Sequence, residues 1–257
     1  MKTCNIAVSM NVASGNKILW LRANAGISLS GVGVTHWLDQ SGNNNHFTQN
    51  TAANQFTFVP QGVQYVKTPA VLPTLAADNT RYMTSDTNLN VVPPYTVLFC
   101  GRTTSAPDNH QDYIATLGNL NFSCDSVLIG FRHDATVFQP FNAAPASSGA
   151  DDWDNSVLII VGMVVLPAGF VRSFHAAIAV GSPIAGIADF GIGPNGDSGI
   201  HVLGSNSFPV GGGDVPTAYR GHWVELIVFN TPFGYNGVTW TPADLQLEIS
   251  RLQNAYA

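Results

Sequence analysis

Two strand-like segments stand at opposite ends of this chain, and whether they pair decides most of what it can fold into. The first is Leu19-Trp20-Leu21-Arg22-Ala23-Asn24-Ala25-Gly26, followed by the polar run Trp37-Leu38-Asp39-Gln40-Ser41-Gly42-Asn43-Asn44-Asn45. The second is Tyr219-Arg220-Gly221-His222-Trp223-Val224-Glu225-Leu226-Ile227-Val228-Phe229-Asn230. Segments so distant in sequence share a sheet when the ends of a chain meet inside a closed antiparallel sandwich. Strict alternation puts Trp223, Glu225, Ile227 and Phe229 on one face and Val224, Leu226 and Val228 on the other. Both faces are largely apolar, which predicts a central strand packed on two sides.

Between these ends, Gly, Pro and Asn recur at short intervals, separated by runs rich in Val, Ile, Phe, Tyr and Thr. That is the punctuation of many short strands. In Gln55-Phe56-Thr57-Phe58-Val59, for example, Phe56 and Phe58 point one way and Thr57 the other. Only the C-terminus reads as helix. Thr241 suits the N-cap, Pro242 the first helical position, and Asp244 a capping-box-like start. Leu245, Ile249, Leu252 and Tyr256 follow along one stripe. Such a helix on an all-β body packs across a sheet or plugs one end. No repeat, charge block or linker divides the 257 residues. The expected organisation is a lead-in strand or arm over residues 1–17 and one domain over 18–257, with Asn142 to Gly149 as a long loop.

Charge is sparse. Only 10% of residues are charged and 45% are hydrophobic, so Ser, Thr, Asn and Gly must cover the surface. Such a surface suits contact with neighbours or with neutral polar ligands such as sugars. A net charge of −6 with three lysines argues against nucleic acid. The apolar run Val157 to Phe170 is too short to cross a membrane and contains Gly162 and Pro167, so a buried strand and turn is expected there. Asn5, Ser9 and Asn11 interrupt the apolar start, which predicts no cleaved secretion signal. Cys4, Cys100 and Cys124 form neither a disulfide framework nor a zinc site. Cys100 sits in an apolar run and reads as a buried free thiol, with a Cys100–Cys124 bridge as the alternative.

The end segments resemble the concanavalin A-like, laminin G-like jelly-roll domains found in phage virion and bacterial surface proteins. Trp37, Asp39, Ser41, Gly42, Asn43 and Asn45 match the first family signature. Gly221, Glu225, Ile227, Val228 and Asn230 match the second. The runs Tyr95-Thr96-Val97-Leu98-Phe99 and Val157-Leu158-Ile159-Ile160-Val161-Gly162 resemble the family's middle strands. The resemblance implies an all-β, two-sheet antiparallel jelly-roll sandwich with one short C-terminal helix. It specifies function poorly, since lectins, glycosidases, lyases and inert structural modules share this fold. One departure stands out: residues Thr231 to Trp240, with Pro232, Phe233, Tyr235 and Trp240, are inserted before the helix.

Each chemical motif has a bland competitor. Asp39 to Asn45 is expected to be a structural turn, with Gly42 at positive φ; a calcium site is the sharper alternative, because hard cations take oxygen ligands. Glycoside hydrolysis needs two carboxylates flanking the bond, whereas this chain has only two glutamates, Glu225 and Glu248, and no Glu-x-Asp motif on one strand. Glu225, alone among apolar neighbours, must find a buried partner, and Arg22 on the opening strand is the candidate. The acidic cluster Asp151-Asp152-Trp153-Asp154 is the best ligand-binding candidate, able to hold calcium or stack a sugar. Its competitor is a solvated loop anchored by Trp153. The scattered histidines show no metal spacing. No serine elbow is present, and Gly211-Gly212-Gly213-Asp214 lacks the context of a phosphate loop.

The leading expectation is therefore a non-enzymatic, lectin-like virion component without a catalytic residue, metal or required cofactor. It would be assembled in the host cytoplasm and would touch other virion proteins, its own copies and a cell-surface glycan. It would enter neither a membrane nor a nucleic-acid complex. The rival expectations are a free carbohydrate-binding module and a polysaccharide-degrading enzyme.

Overall fold

The computed structural model describes residues 17–60, 70–72, 81–87, 89, 91, 95–103, 112–117, 127–132, 135–140, 146–147, 159–165, 171–177, 184–187, 202–204, 217–218, 221–231 and 243–256. Among them are eighteen strands and one α-helix, Ala243–Tyr256. The architecture is a two-sheet antiparallel β-sandwich. One sheet runs, in hydrogen-bonded order, through Lys17–Arg22, Gly221–Phe229, Tyr95–Thr103, Ile159–Val165, Val171–Ala177 and Ile184–Ile187. The other runs through Ile27–Ser30, Gly33–Trp37, Phe47–Thr48, Tyr82–Ser85, Val202–Gly204, Asp112–Leu117, Val127–Arg132, Ala135–Pro140 and Ala146–Ser147. The short pair Thr57–Val59 and Ala70–Leu72 bridges the two, joining Gly33 on one side to Trp223 on the other. Thr217–Ala218 adds the only parallel pairing among the described residues, beside Asp112 and Tyr113.

The two distant strand segments do meet. Leu19, Trp20, Leu21 and Arg22 lie opposite Val228, Ile227, Leu226 and Glu225. The closing strand Gly221–Phe229 is central, flanked by Lys17–Arg22 and Tyr95–Thr103. Its residues 222–229 are all buried, because a strand with neighbours on both edges and layers on both faces has no route to solvent.

Alternation along that strand is not strict, and here the sequence expectation needs correcting. A register shift between Trp223 and Glu225 marks a bulge at Val224. One extra residue reverses which face follows. Trp223 therefore joins Leu226 and Val228 in the core between the sheets, and Glu225 remains on the outer face. Trp223 is the hub of that core. Its ring centroid lies 5.2 Å from Phe99, 5.7 Å from Phe56 and 6.0 Å from Trp37, with edge contacts to Phe99 and Trp37. Trp37 comes from the opposite sheet, and its indole N–H donates to the Arg22 carbonyl at 3.0 Å. Gly101 allows this crowding, since a Cβ there would collide with the Phe99 ring and the His222 carbonyl.

The helix lies across the outer face of the first sheet. Ile249 and Leu252 are buried, as the helical stripe requires, and Arg251 reaches Glu225 on the closing strand. Thr241 and Pro242 lie outside the described residues. So do Cys4 and Cys124, the rest of the 231–240 insertion beyond Thr231, and Gly211 to Asp214. Cys100 is a buried free thiol.

Two outcomes follow. Trp223→Ala should cost about 3–5 kcal/mol, as large aromatic truncations in cores do, read as a fall in the urea midpoint. Burial first, and the nearby Glu225 charge second, push the Cys100 thiol well above its ordinary pKa. The native state then keeps a proton that the unfolded chain loses above roughly pH 8–9, so Cys100 makes stability fall as pH rises through that range. Cys100→Ala should lose less stability than the parent between neutral pH and about pH 10, measured by urea unfolding at each pH.

Candidate functional site

The strongest gathering of ionisable groups in the described residues lies where the opening strand, the closing strand and the helix meet. Glu225 and Glu248, the only glutamates in the chain, are 1% and 0% exposed. Arg251 holds both. Its Nη2 donates to Glu225 Oε1 and its Nε to Glu248 Oε1, each at 2.6 Å. The Trp20 indole N–H donates to the same Glu225 oxygen at 2.6 Å, across 205 residues of sequence. The partner of Glu225 is therefore not the one expected. Arg22 stands directly opposite Glu225 in the ladder, yet the ion pair comes from Arg251 on the helix. Arg22 instead lays its guanidinium 5.1 Å from the Trp20 ring.

A second bulge arranges the rest of this cluster. The register shifts between Lys17 and Leu19, which turns Lys17 to the face of Trp20 and sets its Nζ 4.1 Å from the indole centroid. Burial lowers the Lys17 pKa, and the neighbouring glutamates only partly oppose it. For Arg251, burial works against the charged form, but Glu225 and Glu248 together outweigh it and hold the pKa above its ordinary value. The arrangement is a clamp that fastens the helix to the sheet. Two carboxylates bound to one guanidinium beneath a helix cannot flank a sugar bond, so this pair offers no glycoside chemistry.

The Asp39 turn is built just as tightly. Asp39 Oδ1 accepts from the Trp20 and Ser41 backbone N–H groups at 2.8 and 2.9 Å. Its Oδ2 accepts from Ser41 Oγ at 2.6 Å and the Asn45 N–H at 3.1 Å. Gly42 has φ +92° and Asn44 φ +60°, and Asn is among the side chains that tolerate this region. Asn43 Nδ2 and Asn45 Nδ2 donate to the Lys17 and Ile18 carbonyls at 2.7 and 2.8 Å, and the Gln40 N–H to the Trp20 carbonyl at 2.7 Å. The turn thus covers the free edge of the opening strand. Both Asp39 oxygens face donors of the protein itself, and no group of three or more His, Cys, Asp or Glu gathers among the described residues.

Of the residues singled out from the sequence, Arg22, Trp37, Asp39, Ser41, Gly42 and Glu225 fall in this one region, where the strand ends meet. Asp151, Asp152, Trp153 and Asp154 lie outside the described residues. Arg251, Glu248, Lys17 and Trp20 were missed as partners. Helical periodicity could have flagged Arg251, which sits three residues beyond Glu248, but nothing local shows which strand the helix crosses.

No protein-family model matches this chain, and no curated protein matches it in sequence. Solved structures do. A GH54 α-L-arabinofuranosidase soaked with a cyclic sulfate inhibitor is 14% identical with a TM-score of 0.57, over 88% of this chain and 52% of that one. The receptor-binding domain of botulinum neurotoxin type G is 12% identical with a TM-score of 0.52, over 92% of this chain and 51% of that one. Domain 4 of AbnA, a GH43 extracellular arabinanase from Geobacillus stearothermophilus in complex with arabinotriose, is 11% identical with a TM-score of 0.53. There the match covers 93% of this chain and 98% of the domain. At these identities the likeness is one of fold: a β-sandwich that occurs in glycosidase, carbohydrate-bound and receptor-binding domains. This chain spans only about half of the first two structures.

The clamp makes a definite prediction. Arg251→Met strands two buried carboxylates and should cost about 3–5 kcal/mol in chemical denaturation. Adding Glu225→Gln and Glu248→Gln to it should recover much of that loss.

Proposed function

We propose that this chain is a non-enzymatic, lectin-like β-sandwich module serving as a virion component, which engages neighbouring proteins and a cell-surface glycan. The observation that carries the carbohydrate part is the match to an entire domain solved with arabinotriose, reinforced by the receptor-binding domain. The virion part rests on the resemblance of the end segments to phage jelly-roll domains. The composition agrees with both: a surface of Ser, Thr, Asn and Gly meets sugar hydroxyls with donors and acceptors and no strong field. The segment Asp151-Asp152-Trp153-Asp154 supplies the binding chemistry in this reading. Its indole offers an apolar plate for a sugar ring and its carboxylates accept hydroxyl hydrogen bonds. The sequestration of Glu225 and Glu248 under Arg251 favours binding over hydrolysis.

On a glycan array the protein should retain a defined set of glycans, and Trp153→Ala should weaken them at least tenfold, about 1.4 kcal/mol. Reducing ends should not appear when the same glycans are incubated with the protein. Their release would establish the enzyme instead, and a blank array would remove the carbohydrate reading. Recovery of the protein in purified particles checks the virion assignment.

A further inference from the structure

Three cations gather around one side chain in this fold. Lys17 Nζ, Arg22 Cζ and Arg251 Cζ lie 4.1, 5.1 and 6.0 Å from the centroid of the Trp20 ring. The chain holds only ten Lys and Arg residues against sixteen Asp and Glu, so three of those ten at one indole reverse the overall charge locally. Lys17, Trp20 and Arg22 all come from the opening strand and are half-buried. Alternation puts Arg22 on the outer face with Trp20, and the bulge after Lys17 brings Lys17 to that face as well.

The acids nearby are already engaged. Arg251 takes one oxygen of Glu225 and one of Glu248, and the Trp20 indole N–H donates to the same Glu225 oxygen. Asp39, beside the Trp20 backbone, accepts four hydrogen bonds from the protein. The Lys17 ammonium and the Arg22 guanidinium have neither a hydrogen bond nor an ion pair among the described residues. What holds them is cation–π attraction, which uses no N–H donor. Lysine carries three such donors and arginine five. One of them, Arg22 Nε, is buried without an acceptor, and a buried unsatisfied donor in a folded protein calls for an explanation. Within the cluster three cations meet two carboxylates, which leaves a positive charge in excess.

We propose that Lys17 and Arg22, positioned by the Trp20 indole, bind the carboxylate of an acidic sugar. The inference rests on the reading of this chain as glycan-binding and adds the class of sugar: one carboxylate on an otherwise neutral saccharide. A guanidinium presents a planar fork that matches a carboxylate with two bonds, and an ammonium adds a point charge beside it. Packing against the indole restrains both cations beforehand, which lowers the entropic cost of binding. The net charge of −6 selects against polyanions, which the whole surface repels. A single carboxylate responds mainly to charges within a Debye length, about 8 Å at physiological ionic strength, and there the excess is positive.

Titration of the full chain with glucuronate, and with glucose as its uncharged match, tests the site through the NMR signal of the Trp20 indole N–H, assigned with Trp20→Phe. Glucuronate should shift that signal saturably and glucose should not. Arg22→Gln and Lys17→Gln should each weaken binding about tenfold, the loss of a hydrogen bond to a charged group, while keeping the parent's urea midpoint. Arg81→Gln, outside the cluster, should leave the affinity unchanged. Added salt should weaken binding. The absence of a saturable response overturns the proposal, as does an equal response to glucose or one that survives both cluster substitutions. Equal binding of inorganic phosphate overturns the sugar as ligand. A glycan array that retains neutral glycans alone overturns this inference and leaves the lectin-like reading standing. A blank array beside Arg22-dependent glucuronate binding removes the wider reading and leaves the sugar-acid site standing.

Discussion

The ladder between Lys17–Arg22 and Gly221–Phe229 is the constraint on which the rest of this structure depends. It joins residues about two hundred positions apart, so its loop-closure entropy must be met by contacts that form only once the intervening strands are in place. Those contacts are concentrated on its two faces. Inward, Leu19, Leu21, Leu226 and Val228 pack with Trp37, Phe47 and Trp223. Outward, Trp20 and Glu225 are covered by the helix through Arg251. A strand pair buried on both faces cannot open locally without exposing a core and a charged cluster together. The opening and closing strands thereby lie in the most protected part of the fold.

Two bulges, one in each strand of that ladder, distribute the side chains. At Val224 the extra residue sends Trp223 inward while keeping Glu225 outward. Near Ile18 it sends Lys17 outward beside Trp20. Without them strict alternation would bury Trp223 under the helix and leave the inter-sheet core without its hub. The price of the arrangement is a buried charge cluster. Arg251 bonds two carboxylates at once, the Trp20 N–H supplies a further donor, and Lys17 and Arg22 stand beside the same indole, which is how such a cluster avoids the full desolvation penalty.

Several of these features can be read from the residues. Asp39, Ser41, Gly42 and the three asparagines announce a self-bonded turn, because Asp and Asn side chains bond nearby amides and Gly accepts positive φ. The two-faced apolar pattern of Gly221–Phe229 announces a central strand. The stripe of Ile249 and Leu252 announces the buried side of the helix. What periodicity cannot register is a bulge, since a single inserted residue leaves composition and spacing almost unchanged while reversing every later face. Nor does a linear pattern show what crosses a sheet: Arg22 is the cation opposite Glu225 in the ladder, and only the crossing of the helix brings Arg251 to it.

By itself, then, the sequence determined the class of fold, the meeting of the opening and closing strands, the turn that follows the opening strand and a composition poor in charge. These depend on local chemistry and on period-two patterning, both written in consecutive residues. The tertiary structure alone decided which cation serves Glu225, which face Trp223 takes, and which strand edge the Asp39–Asn45 turn seals. Each of those is set by how distant elements are superposed in space, and a linear pattern holds no distance between residues that only folding brings together.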